Sequence, residues 1–351
     1  MSQIIDTETE RLELAIDGEF TISRGASETV ETVVVRFEDE DGQRGLGAAA
    51  PSEYYDETVD SVENALPDLL DTVLEIGDPT RQQTVEQAMR EAAPDEAAAR
   101  AAVSVAVHDL AAGQAEEPLY RRLGLDPGYA PTSSYTVSID SPAGMASAAQ
   151  KAAGAGYSIL KVKLGTDDDR SRIDAIRKTV PQARIRVDAN GAWTPEEAIE
   201  KMEWLANAGV EFVEQPVPAD DHEGLARVAE DGFLPVAADE SCVTAADVPK
   251  VADAVDIVVV KLMKCGGIRP AIRQIETAKA HGLDVMIGCM VESMASLAGS
   301  CQLAPLVEYA DLDGSLLLAD DPYDGVPMPD GRIDLSAVEA GTGVERADAE
   351  D

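Results

Sequence analysis

Between residues 159 and 261 the chain repeats one unit, and this repeat limits the fold more than any other feature. Apolar runs close on a charged residue each time. Leu160-Lys161-Val162-Lys163 is followed by Asp188 after 184–187, Glu214 after 210–213, Asp239 after 235–238 and Lys261 after 256–260. From Lys163 onward the charged ends lie 25, 26, 25 and 22 residues apart. That spacing accommodates one strand, one helix and their turns. The runs are rich in Val and Ile without alternation, as parallel strands covered on both faces should be.

The pattern extends in both directions. Strands are expected near 134–138, 159–163, 184–188, 210–214, 235–239, 256–261, 284–288 and 309–316. Helices are expected over 142–155, 168–179, 195–207, 222–231, 245–252, 269–281 and 293–305. Thr194-Pro195 is a helix start, with Thr as cap and Pro at the first helical position. Gly154, Gly156, Gly209 and Gly282 stand where a helix gives way to the next strand. Seven or eight such units predict a (β/α) barrel of the TIM type, whose chemistry lies at the C-terminal ends of the strands. The charged residues fall at those ends.

The first part of the chain differs. Leu12, Leu14 and Ile16 alternate with other residues, 31–37 is a Val-rich run, and Arg24-Gly25-Ala26 reads as the loop between two strands. Helical spacing follows over 58–76, 80–93 and 95–114. The expected division is an α+β domain over 1–115, the barrel over 116–318 and a C-terminal segment over 319–351.

Charge bears on partners. The chain carries 67 acidic and 28 basic residues, a net charge of −39, spread along its whole length. The expectation is a folded, salt-adapted (halophilic) protein of the cytoplasm whose surface repels nucleic acid and anionic membranes. Residues 1–10 hold no apolar stretch of signal-peptide length, and no run reaches the roughly 18–20 apolar residues of a membrane span. Four cysteines without CxxC spacing are expected as free thiols.

Against this background lysine is scarce: nine in all, none before residue 151. Lys161 and Lys163 are two apart on one strand, so both face the barrel interior, and Lys261 ends a later strand. Asp188, Glu214 and Asp239 would converge at the barrel mouth, where three carboxylates need a cation. An oxygen-only set with open positions favours Mg2+. Two lysines facing each other across a metal suit proton removal from, and return to, the α-carbon of a bound carboxylate. Lys264, just past the strand, is expected to play a structural part or to stand behind the groups that touch metal and substrate.

The pair Lys161-x-Lys163 with Asp188-Ala189-Asn190, Glu214-Gln215-Pro216, Asp239-Glu240-Ser241 and Lys261-Leu-Met-Lys-x-Gly-Gly resembles the enolase superfamily, muconate-lactonising subgroup. The resemblance covers nearly the whole chain. It implies an α+β capping domain over a modified barrel, with Mg2+ at Asp188, Glu214 and Asp239. It also implies Lys163 and Lys261 as the acid/base pair, Lys161 stabilising the enolate, and Asn190 and Glu240 behind the ligands. Within the subgroup the likeness is to dipeptide epimerases. Asp311-Leu312-Asp313 resembles the motif that binds a dipeptide's α-ammonium, and Cys289-Met290 lies in a seventh-strand segment of that family. Thr136 is expected to line the pocket. Arg24 is expected to pair with a distal carboxylate, as for an Ala-Glu dipeptide. Gly45-Leu46-Gly47-Ala48 departs from the family's Gly-x-Gly-Glu segment. The implied partner is a small dipeptide, and a homo-oligomer is expected. Cycloisomerases, o-succinylbenzoate synthases and N-acyl amino acid racemases share the lysine and metal set, and a non-catalytic barrel is a further alternative. The Asp311/Asp313 pair separates the dipeptide reading from these, because their substrates have no ammonium group.

Overall fold

The computed structural model describes residues 2–347; Met1 and residues 348–351, the end of the expected C-terminal segment, lie outside the described residues. Strands β1 (Ile4–Ile22) and β2 (Gly25–Asp39) form a long antiparallel hairpin, and β3 (Arg44–Ala49) adds to β2. Pairing resumes at once after the turn, with Ile22 opposite Gly25. The connection is therefore the two residues Ser23-Arg24, and Gly25 and Ala26 belong to β2 rather than to the expected loop. The short turn fixes the register, so pairing runs on through the polar residues around it.

Helices α1 (Val59–Ile76), α2 (Gln82–Ala92) and α3 (Ala97–Gly113) cover the sheet, and a short α4 (Leu119–Arg122) follows. Helix α3 is buried on nearly every side and built largely from Ala and Val. Its backbone comes so close to β3 that a Cβ at Gly45 or Gly47 would collide with the Ala106 or Ala102 carbonyl. The two glycines thus serve packing, and the departure noted at 45–48 is confined to Ala48, which is buried where the family segment has Glu.

The barrel alternates strand and helix: β4 (Tyr135–Val137), α5 (Pro142–Gly154), β5 (Ile159–Lys163), α6 (Asp169–Thr179), β6 (Arg184–Asp188), α7 (Pro195–Asn207), β7 (Val210–Glu214) and α8 (His222–Asp231). It continues through β8 (Val236–Ala238), α9 (Val248–Val251), β9 (Ile257–Val260), α10 (Leu262–Cys265), α11 (Ile268–Ala280), β10 (Asp284–Gly288), α12 (Met294–Leu303) and β11 (Tyr309–Asp311). The eight strands β4–β11 are parallel and neighbour one another in chain order. The Ser134 N–H donates to the Ala310 carbonyl at 3.1 Å, joining the two ends of the sheet. Phe212, Ala237, Ile257, Val259, Met286 and Tyr309 plug the interior. The Arg186 guanidinium rests over the Phe212 and Tyr309 rings, 5.4 and 5.0 Å from their centroids.

Several boundaries differ from expectation, three of them in the segments just beyond β8, β9 and β11. Helix 245–252 shrinks to α9, because Thr244 and Asp247 close a turn on each other and Pro249 follows. Strand β9 ends at Val260, so Lys261 lies one residue beyond it and opens α10. The strand expected at 309–316 stops at Asp311, and Asp313 begins a 3-10 turn over Gly314–Leu317.

Beyond residue 318 the chain returns to the N-terminal sheet. Ala319 N–H donates to the Ala15 carbonyl at 2.8 Å, and Arg36 donates to the Tyr323 hydroxyl at 2.6 Å. A two-stranded ribbon, β12 (Tyr323–Asp324) with β13 (Glu345–Arg346), ends this segment.

Candidate active site

A cavity of about 430 Å³ lies between the hairpin and the C-terminal ends of the barrel strands. Its barrel side is lined by Thr136, Lys161, Lys163, Asn190, Asp239, Glu240, Lys261, Cys289, Met290, Asp311 and Asp313. Asp188 and Glu214 lie beneath this lining, fully buried. Parallel register sets Lys163 beside Asp188, and Asp188 beside Glu214. Strands β5 and β9 are four apart in the eight-stranded order, so Lys163 and Lys261 approach from opposite walls.

Every buried lysine here meets a carboxylate. Lys163 Nζ donates to Asp188 Oδ2 at 2.7 Å. Lys261 Nζ donates to Asp239 Oδ2 at 2.7 Å, while Lys264 Nζ takes Asp239 Oδ1 at 2.6 Å and the Asp239 carbonyl at 2.7 Å. Lys264 also donates to the Val259 and Cys242 carbonyls, so it ties β8 to β9 as the structural part expected of it. Lys161 Nζ sits between three anions: 2.8 Å from Glu214 Oε2, 2.8 Å from Asp311 Oδ2 and 3.2 Å from Asp188 Oδ2.

These pairings set the proton affinities. Burial works against the charged forms throughout. Even so, Lys163 and Lys161 hold Asp188 well below the carboxylate range, and Lys261 and Lys264 do the same for Asp239. Burial is likewise overcome at Lys161 by Asp311 and Glu214, and at Lys261 by Asp239, so both ammonium groups hold their protons more firmly than usual. Glu214 goes the other way: burial and the nearby Asp188 push it up to about 8, although Lys161 pulls against them.

The three carboxylates were expected to converge on one point. Among the described residues no three His, Cys, Asp or Glu side chains stand ready around a metal. The reason is electrostatic: Asp188 and Asp239 are turned onto ammonium groups, which supply the positive charge that the cluster needs. The donor set still fits a hard divalent cation. Glu214 Oε2 is buried with no hydrogen bond of good geometry, as are Asn190 Oδ1 and Glu240 Oε2, and all are oxygens.

The loops behind the ligands are held in strained form. Asn190 and Gln215 both have positive φ, 47° and 37°. Asn190 N–H thereby donates to Asp188 Oδ1 at 2.8 Å. Gln215 accepts from the Asp239 and Ser241 N–H groups and donates to the Ser241 hydroxyl at 2.7 Å, locking the β7 loop to the β8 loop.

Asp311 accepts from the Ser134 hydroxyl at 2.6 Å as well as from Lys161. Asp313 accepts from the Thr136 N–H and, at 3.2 Å, from the Thr136 hydroxyl. Cys289 and Met290 are half-buried on the same wall. Arg24, at the hairpin turn, donates to Glu240 Oε1 at 2.6 Å and to the Asn190 carbonyl at 3.0 Å, and stacks 4.3 Å from the Tyr54 ring centroid. It reaches the cavity as expected, but with a carboxylate partner from the barrel. The reading from residues missed other lining residues: Ile16, Phe20, Ile22, Tyr54 and Tyr55 on the cap side, and Leu317 in the turn after β11. It also missed Ser134, although Ser134 lies two residues before Thr136 on an inward-facing alternation.

Similarity to known proteins agrees with this arrangement. Residues 5–124 match the mandelate racemase / muconate lactonizing enzyme N-terminal domain, and 144–350 match the enolase C-terminal domain-like family. The L-Ala-D/L-Glu epimerase of Bacteroides thetaiotaomicron is 36% identical over 92% of this chain and 84% of its own length. The hydrophobic dipeptide epimerase of Enterococcus faecalis is 33% identical over 87% of this chain and 89% of its own. The crystal structure of the Enterococcus faecalis V583 dipeptide epimerase complexed with Mg and L-Leu-L-Tyr superposes with a TM-score of 0.93 at 31% identity, over 98% of this chain and all of that one. The chain belongs to the mandelate racemase / muconate lactonizing enzyme family of the enolase superfamily.

Proposed function

We propose that this protein is a Mg2+-dependent isomerase that epimerises the α-carbon of the C-terminal residue of a dipeptide, with Ala-Glu as the reference substrate. The observation that carries the reading is the placement of Lys163 and Lys261 on opposite walls of one cavity, with Asp188, Glu214 and Asp239 between them. Relatives named for dipeptide epimerisation, and relatives solved with Mg and dipeptides, support it.

Asp188, Glu214 and Asp239 would hold the metal, and a divalent cation there would acidify the α-proton of a nearby carboxylate. Lys163 and Lys261 work on the two faces of the α-carbon, one removing the proton and the other returning it. One lysine starts protonated as the donor and the other neutral as the base, and the roles exchange for the other epimer. Lys161 faces the negative charge that develops on the substrate carboxylate. Thr136, Cys289 and Met290 line the pocket, and Asn190 and Glu240 brace the ligand loops. The capping domain, residues 1–115 with the returning segment from 319, closes over the barrel of 116–318.

The surplus of 39 negative charges supports a salt-adapted protein of the cytoplasm that leaves nucleic acid and membranes alone. Among the described residues no helix is long and apolar enough to cross a membrane. A homo-oligomer is part of the same proposal.

The test is chiral analysis of L-Ala-L-Glu after incubation with enzyme and Mg2+ in molar salt. The expected product is L-Ala-D-Glu, and its formation should stop with EDTA and resume with added Mg2+. An unchanged L,L-dipeptide, with N-acyl amino acids racemised instead, would replace this reading by that of an N-acyl amino acid racemase.

A further inference from the structure

A second cavity, of about 370 Å³, lies outside the active site, on the seam between the capping helices and the barrel. The cap supplies Glu86 and Arg90 from α2 and Arg100 from α3. The barrel supplies Arg273 from α11 and the turn at 244–246 after β8. Three of the four charged residues in this lining are therefore arginines. In a chain with 67 acidic and 28 basic residues, a hollow with a positive surplus runs against the composition.

The fold does not neutralise that surplus. Arg273 donates to both oxygens of Glu86, and Arg269, just outside the lining, donates to one of them at 3.1 Å. The one carboxylate of the cavity thus already serves two guanidinium groups. Among the described residues no carboxylate stands within 4.0 Å of Arg90 or Arg100. Arg100 is half-buried and donates to the Ala93 and Pro94 carbonyls, which hold it in place without balancing its charge. Glu57, Asp95 and Glu96 act on it from further away, and burial still pulls its proton affinity down. A Cβ at Gly266 would stand 3.1 Å from both Nε and Nη2 of Arg100, so the glycine makes room for that guanidinium at the cavity wall.

An uncompensated charge taken out of water is costly, and an anion entering the cavity offsets the cost. Guanidinium groups suit carboxylate and phosphate oxygens. Three arginines against one glutamate leave two positive charges over, in a volume typical of small-molecule sites. Independently of the reaction proposed above, we infer that this seam is a binding site for a small oxyanion with two negative charges, which fastens α2 and α3 to the barrel.

The probe is dianionic inorganic phosphate, followed by calorimetry and by melting temperature. Sodium chloride of equal ionic strength is the control, because any salt screens a net charge of −39. Phosphate should bind the wild type saturably and raise its melting temperature a few degrees above the chloride control, as a ligand of the folded state does. Arg90→Gln removes an exposed guanidinium that pairs with no carboxylate, so folding should survive it. It should weaken phosphate by about tenfold, the value of one charge-assisted hydrogen bond. Ala246→Glu brings a carboxylate to an exposed part of the lining and should abolish phosphate binding without lowering the melting temperature in chloride. Arg81→Gln, at the start of α2 and outside the lining, should leave phosphate affinity as it was. Succinate in place of phosphate separates the sources: tighter succinate means a dicarboxylate ligand, and tighter phosphate means a phosphoryl one. Equal melting temperatures in phosphate, succinate and chloride, or wild-type phosphate affinity in both Arg90→Gln and Ala246→Glu, would overturn the site.

Discussion

The barrel mouth and the capping hairpin build the two walls of one cavity by different means. On the barrel side each functional charge stands at or just beyond the end of a strand, buried and held by other charges. On the cap side an apolar wall of Ile16, Phe20 and Ile22 adjoins polar lining residues such as Thr29 and Glu31, and Arg24 reaches across to Glu240 at the turn. The hairpin tip is tied to the barrel by a handful of bonds. They run from Ser23 and Arg24 to the Ala189 and Asn190 carbonyls, from Arg24 to Glu240, and from the Ile139 N–H to the Thr21 carbonyl. A wall fixed by a barrel can hold reacting groups at one geometry. A wall docked by a few contacts can change its side chains without disturbing the chemistry. Under the proposed function the barrel would set which reaction occurs, and the cap which side chain it accepts.

Changes on the barrel side should be the most severe. Asp188→Asn, Glu214→Gln and Asp239→Asn should each abolish epimerisation and lower Mg2+ affinity, and chelation should inactivate the wild type reversibly. Full activity after exhaustive chelation would remove the metal from the account.

The cap should show a smaller and selective effect. Arg24→Leu should lower kcat/KM for Ala-Glu by about tenfold more than for Ala-Leu, if its guanidinium leaves Glu240 to meet the substrate carboxylate. Equal losses on both dipeptides would mean that Arg24 serves only to fasten the hairpin to the barrel, which would move side-chain selection to the apolar wall.

Salt should act on both walls alike. Between about 0.1 M and 1 M the Debye length falls from about 10 Å to about 3 Å, which relieves self-repulsion at a net charge of −39. Melting temperature and activity should rise together over that range, and a flat melting profile would contradict salt adaptation.

The smallest effect concerns Glu57, which accepts the Ala98 N–H at the start of α3 and anchors the loop carrying Tyr54 and Tyr55. Burial pushes its carboxyl from 4.5 up to about 7, against the pull of that N–H. A raised folded-state pKa means that the stability from the protonated form is complete below about 4.5 and lost as pH climbs toward 7. Glu57→Gln does not titrate, so its melting temperature should gain on the wild type by a few degrees between those limits. Calorimetry in molar salt at both ends checks this, and an offset independent of pH would place the effect elsewhere.

The same contrast decides what was legible in the sequence. The barrel announces itself because each strand must be apolar on both faces and end at the mouth. Lys163, Asp188, Glu214, Asp239 and Lys261 therefore recur at a fixed spacing. Asp311 and Asp313 are visible as a pair, but their difference is not. It depends on Lys161 and Ser134, which lie 150 and 177 residues away in the chain. Of the cavity lining, Tyr54, Tyr55 and Leu317 left no periodic trace, since they lie in single 3-10 turns between the regular elements. Gly45 and Gly47 keep the glycines of the family segment, and the close approach of α3 gives them a local physical reason, whereas the departure lies at Ala48.

The central claim is that Lys163 and Lys261 act on opposite faces of one α-carbon, and hydrogen exchange tests it most directly. Wild type, Lys163→Ala and Lys261→Ala would each be incubated in D2O with Mg2+ and, separately, with the L,L and L,D epimers of one dipeptide. Deuterium at the α-carbon would be followed by mass and configuration by chiral chromatography. The account predicts that each variant loses epimerisation by about 10²–10⁴-fold while retaining exchange with one epimer only, and that the retained epimer differs between the two variants. Interconversion of both epimers near the wild-type rate by either variant would contradict it.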